Sequence, residues 1–239
     1  PWPARNQANC VNTRKDGGVA VCGDVLTAGK SSAFILLLDH NGTTTHFKTL
    51  NTPDVTESSG FEIITDQDDY TTLFWGNLKT QLLTNFKKNG TKRWQEDLEA
   101  NHFSGQYFLN KKVLWHGLEG EVLIAGHIPK SGSSTLLAFG DNGVVDWSAN
   151  FRAMQTFGFS VNKNEPDQTY NIYFSQTSKI AKNESEFVHL RLNSSGGLVA
   201  SDTLNIPFSE AITQSIYVGN TVLLKYGISP VLGKIEDGK

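Results

Sequence analysis

The stretch AFILLLDHNGTTTHFKTL (33–50) runs five large apolar residues into a polar step ending in Asn-Gly, then leaves through threonines to aromatic and apolar residues. Read alone, it is one β-hairpin with the Asn-Gly pair as a two-residue turn. The same pattern returns as QLLTNFKKNGTKRWQEDL (81–98) and STLLAFGDNGVVDWSANF (134–151), and more loosely as FVHLRLNSSGGLVASDTL (187–204). Trp94 and Trp147 each stand four residues after their turn glycine, and Phe47 holds nearly the same place in the first copy. The hairpin is one copy of a repeat, and the repeat decides the fold.

Upstream of each hairpin lies another apolar run: GGVAVCGDVL (17–26), YTTLFWGNL (70–78), GEVLIAGHI (120–128), TYNIYFSQT (169–177) and NTVLLKYGI (220–228). Before the last four stand GFEIITDQD (60–68), GQYFLNKK (105–112), TFGFSVNKN (156–164) and AITQSIYVGN (211–220), each a short run closing on polar turn residues. The unit is thus four strands, a to d, marked by Gly42, Gly90, Gly143, Gly196 and Gly238 at intervals of 48, 53, 53 and 42 residues. Four-stranded units at this spacing, with no competing helical periodicity, predict a β-propeller. The expectation is all-β: one domain over 1–239, of about five four-stranded blades. The start PWPARNQ (1–7) would complete the last blade, with Trp2 standing where Trp94 stands. Such closure removes a free sheet edge, and Pro1 and Pro3 are tolerable on an edge strand.

Composition narrows the function. A formal net charge of −3 disfavours nucleic acid as a partner, and no apolar run approaches the roughly 20 residues that cross a bilayer. Four sequons, at Asn41, Asn89, Asn183 and Asn193, point to a secreted or cell-surface glycoprotein. Turn chemistry alone also produces Asn-Gly-Thr, so the sequons admit both readings. Cys10 and Cys22 fall on strands a and b of the first unit, within disulfide reach if they lie opposite one another; two small buried side chains are the other reading.

The pattern resembles loose propeller repeats of the form GG-aliphatic-G, then aliphatic-Asp-x-Asn-Gly, then Trp. It is carried by Gly17, Gly18, Gly23, Asp39, Asn41 and Gly42 in the first copy and by Gly126, Asp141, Asn142, Gly143 and Trp147 in the third. The resemblance covers nearly the whole chain and implies blade architecture. A fivefold ring of this size is similar in architecture to tachylectin-like lectins and five-bladed glycoside hydrolases, an analogy of fold that leaves function open.

Chemistry is sparse. Propeller glycosidases need converging carboxylates; the candidates are Asp66, Asp68 and Asp69, Glu119 and Glu121, and Glu165 with Asp167. All sit at strand ends, where turn formation explains them as well. The six histidines and two cysteines show no metal-ligand spacing, no nucleophile elbow or phosphate loop is present, and no motif calls for a cofactor. No catalytic residue is assigned. The expected function is a non-catalytic extracellular binding module for a protein or glycan, with a lectin, a glycosidase-type enzyme and a structural subunit as alternatives. The b–c loops, which differ in length and carry lysines, are the expected ligand face. The candidate contacts are Trp75, Lys79, Trp115, His116, Lys130 and Lys179. Trp115 and His116 are read as an extra segment ahead of strand b.

Overall fold

The computed structural model of the chain describes residues 6–27, 29–51, 57–77, 79–101, 114–128, 133–152, 156–177, 185–206, 212–218, 221–226 and 231–236. The first sheet is β1 (Asn6–Thr13), β2 (Val19–Thr27), β3 (Lys30–Leu38) and β4 (Thr44–Leu50). The second is β5 (Ser59–Thr65), β6 (Thr71–Gly76), β7 (Gln81–Phe86) and β8 (Lys92–Asp97), followed by one helical turn, α1 (Leu98–Asn101). The third holds β9 (Leu114–His116), β10 (Val122–Ile128), β11 (Ser133–Phe139) and β12 (Val145–Arg152). The fourth holds β13 (Thr156–Asn164), β14 (Thr169–Thr177), β15 (Ser185–Asn193) and β16 (Leu198–Ile206). A three-stranded sheet of β17 (Ile212–Val218), β18 (Thr221–Tyr226) and β19 (Val231–Glu236) ends the series. In every sheet the strand order follows the chain order. The expected all-β, four-stranded repeat is therefore the architecture. The N-terminal segment proposed to complete the last sheet lies outside the described residues, save that Asn6 and Gln7 belong to β1, a strand a.

Two compact units are present. One comprises Pro1–Gln106, Leu114–His116 and Phe139–Val144; the other comprises Tyr107–Val113, Gly117–Ala138 and Val145–Lys239. In the first, the core lies between the first two sheets and contains Cys22, Ile35, Leu37, Ile63, Leu73, Trp75, Leu82 and Phe86. Every residue of β6 and β7 is buried, the polar Thr71, Thr72, Gln81, Thr84 and Asn85 included, so both faces of these strands are covered. β1 is mostly exposed, and so is most of β4.

The c–d turns depart from the two-residue form. Gly42 donates its N–H to the Asp39 carbonyl, and the Asp39 N–H reaches the Thr43 carbonyl. Gly42 takes φ +78°, whereas Asn41 is not among the positive-φ residues. A type I′ turn needs left-handed backbone at both centres. This is instead a type I turn followed by a left-handed glycine, with a bulge at Leu37/Leu38. Gly90, Gly143 and Gly196 repeat the geometry at φ +79°, +78° and +80°.

Those glycines also receive rings. His46 lies against Gly90 and Trp94 against Gly143 in the first unit, and Trp147 against Gly196 in the second. Each ring stands four residues after its own turn glycine and covers the glycine of the next turn. In the first copy the ring is that of His46, not Phe47, which is exposed and tilts against Phe34. Trp94 stacks on Phe139 with centroids 6.2 Å apart, and Trp147 tilts against Tyr170 at 5.4 Å.

Candidate functional site

At the b–c end of the first unit a polar cluster gathers on the strands nearest the start of each sheet. β1 pairs with β2 as Ala8 with Gly23 and then Cys10 with Cys22, so Asn9 is the extra residue of a bulge. The bulge turns its amide toward the neighbouring sheet. Asn9 Nδ2 lies 2.9 Å from Ser59 Oγ, 2.9 Å from the Gly60 carbonyl and 3.2 Å from Asp24 Oδ1. Ser59 Oγ donates to Asp24 Oδ1 at 2.9 Å, and Gln7 Nε2 donates to Asn9 Oδ1 at 2.9 Å. Asp24 Oδ2 and Gln7 Oε1 are left without a protein donor among the described residues.

The surrounding rim is stitched together. Ser58 donates its N–H to the Ser31 carbonyl at 3.0 Å, and its Oγ accepts from the Ala33 N–H at 2.9 Å. Asn77 Nδ2 donates to the Glu57 carbonyl at 3.1 Å, while Asn77 Oδ1 accepts from the N–H groups of Lys79 and Thr80. The segment entering the second sheet is thereby tied to the b–c turns on either side. Lys30 and Lys79 are exposed at this end. A rim whose backbone is already ordered loses little entropy on binding.

The predicted site residues divide. Lys79 is exposed on this rim. Trp75 is 1% exposed and donates Nε1–H to Thr84 Oγ1 at 2.9 Å inside the core. Trp115, at 6%, belongs to β9, the first strand of the third sheet, and not to an extra segment. Both indoles are core groups, because their strands are covered on both faces. His116 is half-buried beside Asp66, on the same strand. Lys130, Lys179 and Asn183 lie outside the described residues. Asn41 and Asn89 are exposed on c–d turns of the first unit, at the end opposite the rim, and Asn193 is exposed on a c–d turn of the second. Cys10 and Cys22 are Cα partners, yet both are free thiols, so the structure contains no bond between them. The polar cluster itself escaped sequence reasoning; the available signal was the polar run of Asn6, Gln7, Asn9 and Asn12 in β1.

Of the carboxylates raised as catalytic candidates, Asp66, Asp69, Glu121, Glu165 and Asp167 are engaged in turns, ion pairs or hydrogen bonds, whereas Asp68 and Glu119 take part through their N–H groups. Asp66 caps its own turn by accepting from Asp68 and Tyr70 N–H; burial pushes its acidity weaker, against those bonds and the nearby His116. Asp69, left-handed at φ 61°, accepts from the Lys15 N–H at 2.7 Å and pairs with Lys88 at 2.9 Å. Lys88 also reaches Asp16, which is joined by the buried Arg14. In the second unit Glu121 accepts from Tyr170 Oη–H at 2.9 Å and from the Glu119 N–H at 2.6 Å. Burial, and Glu121 beside it, hold the Tyr170 phenol neutral. Glu165 pairs with Lys163 and Asp167 accepts from Asn164. No three metal-ligating side chains converge among the described residues.

The second unit also carries an open cleft of about 510 Å³ between β12 and the face of β14–β16, lined by Phe174, Val188, Leu190 and Leu198 among others. None of its lining residues has a buried polar atom lacking a partner.

No protein-family model matches the chain, and no curated protein is similar to it in sequence. Solved structures are similar in fold. A chain of the BBS1N–ARL6DN complex matches with TM-score 0.56 and 13% identity over 93% of this chain and 64% of that one. A chain of the nidogen–laminin complex matches with TM-score 0.53 and 11% identity over 96% and 75%. Acylaminoacyl peptidase matches with TM-score 0.53 and 11% identity over 92% and 35%. The fold is of the β-propeller class. At these identities the likeness concerns fold alone, and its hosts include both complex-forming proteins and a peptidase.

Proposed function

We propose that this chain is a non-catalytic binding module that receives a protein or glycan partner on the b–c end of its first two sheets. The observation that carries the reading is the Gln7–Asn9–Asp24–Ser59 cluster: exposed at Gln7 and Asn9, half-buried at Asp24 and Ser59, ordered by its own hydrogen bonds, and keeping a carboxylate oxygen and an amide oxygen that those bonds do not use. Planar amide and carboxylate groups fixed in this way suit hydroxyl and backbone N–H donors of a partner. Two of the best-matching folds come from complexes with other proteins, which agrees with an interaction role. An enzyme reading gains little from the acids, since the Asp66, Asp69, Glu121, Glu165 and Asp167 carboxylates are engaged in turns, ion pairs or the Tyr170 hydrogen bond. Secretion accords with the placement of Asn41, Asn89 and Asn193, because glycans on the c–d turns would leave the b–c end open.

The test is a screen on an oligosaccharide array, with an N9A/D24A double variant and an Asn142→Ala control from a c–d turn. A glycan hit lost by the double variant and kept by the control supports the site. A hit kept by both removes it. Intact mass before and after deglycosylation of secreted material tests the sequons.

A further inference from the structure

We propose that Cys10 and Cys22 are a thiol–disulfide site that, on oxidation, covalently clamps β1 to β2. The register makes the two residues direct cross-strand partners immediately after the Asn9 bulge. Opposed residues of antiparallel strands have Cα atoms about 4.5–5.5 Å apart, inside the span a disulfide bridges. Their side chains share one side of the sheet: Cys22 is fully buried in the core between the first two sheets, and Cys10 packs against that same core. Cys10 Sγ also donates toward the Ile63 carbonyl at 3.8 Å, which turns it inward from its otherwise exposed strand. Cys10 beside it, ahead of burial, raises the Cys22 thiol well above its ordinary range.

The asymmetry sets the order of events. Cys10 is half-buried and Cys22 has no exposed surface, so Cys10 is the entry sulfur. With a low-molecular-weight disulfide as oxidant, the Cys10 thiolate attacks one sulfur and releases one small thiol, leaving a mixed disulfide at Cys10. Cys22, giving up its proton to solvent, displaces the second small thiol and closes the protein bond. Two protein thiols are oxidised, and one small disulfide is reduced to two thiols. The second step is slow in the folded chain because a buried thiol yields its proton reluctantly. The clamp fixes the register on which the bulge depends.

The reduced, full chain is incubated with oxidised glutathione at pH 8, quenched by alkylation and weighed intact. The expected product has lost about 2 Da and takes up no alkylating agent, and dithiothreitol restores both thiols. The Cys22→Ala variant, which keeps a small apolar group in the core, is expected to stop at one glutathione adduct on Cys10. The Cys10→Ala variant is expected to gain no adduct while folded. Two alkylatable thiols surviving in the folded wild type, under a buffer that oxidises the urea-unfolded chain, overturn the proposal. So do two independent glutathione adducts.

Discussion

The indole of Trp94 lies over Gly143, so that a Cβ on that glycine would come within 2.7 Å of two ring atoms, Cγ and Cδ2. The glycine is required twice: its φ of +78° is left-handed, and the space above it is taken. Gly42 has the same φ of +78° and no described atom within 4 Å of its would-be Cβ. The pair separates two effects that usually travel together.

Gly42→Ala is expected to cost about 1–2 kcal/mol, the backbone term alone. Gly143→Ala adds displacement of the indole and is expected to cost about 1–3 kcal/mol more, as overpacking does. Urea denaturation of the two variants measures the difference; equal losses would mean that the ring contact contributes nothing.

Trp75 serves the core. Trp75→Phe removes the Nε1–H and leaves Thr84 Oγ1 short of a donor, and an expected loss of about 1–3 kcal/mol follows. Binding of any partner found for the b–c rim should be unchanged for the folded variant, by titration calorimetry.

The sequon asparagines are unequal as turn residues. Asn193 Oδ1 accepts from the N–H groups of Ser195 and Gly197 and from Ser195 Oγ, the place that Asp39 fills in the first turn. Asn193→Ala is expected to lose about 1 kcal/mol or more, Asn193→Asp to retain stability, and Asn41→Ala to be neutral. Thermal melts of the unglycosylated variants check all three.

His46 gives the fold a response to mild acid. Burial, helped by the charge of Lys48, lowers its pKa below the ordinary 6.5, and its Nε2 is buried without a partner among the described residues. The unfolded chain therefore binds the proton more readily. The stability held by neutral His46 is full above pH 6.5 and falls as pH drops from there toward the folded pKa. His46→Trp keeps a ring on Gly90 and should flatten stability between pH 7.5 and 5, measured by urea midpoints. An unchanged slope would locate the titration elsewhere.

The repeat was legible because its turns are chemical punctuation: a glycine at a left-handed position, closing a short polar step, marks each c–d hairpin whatever the strands contain. The role of the rings was half legible. The four-residue spacing from turn glycine to ring picks out His46 as well as Trp94 and Trp147, but an imidazole does not look like a member of a tryptophan series. Trp115 was misplaced because β9 is only three residues long, too short to show a period. The Gln7–Asn9–Asp24–Ser59 cluster depends on a one-residue bulge and on strands fifty residues apart, and neither is written in local pattern. Cys10 and Cys22 could be placed on adjacent strands from sequence, while their register required that same bulge.

The order of strands within each sheet has a kinetic consequence. Among the described residues every strand pairs only with its sequence neighbours, so each sheet forms largely through local pairings of low contact order. The rings on Gly90, Gly143 and Gly196 are among the longer-range contacts, joining one hairpin to the next along the chain. Folding is then expected to nucleate in any one hairpin pair and to spread from neighbour to neighbour, as in linear repeat arrays.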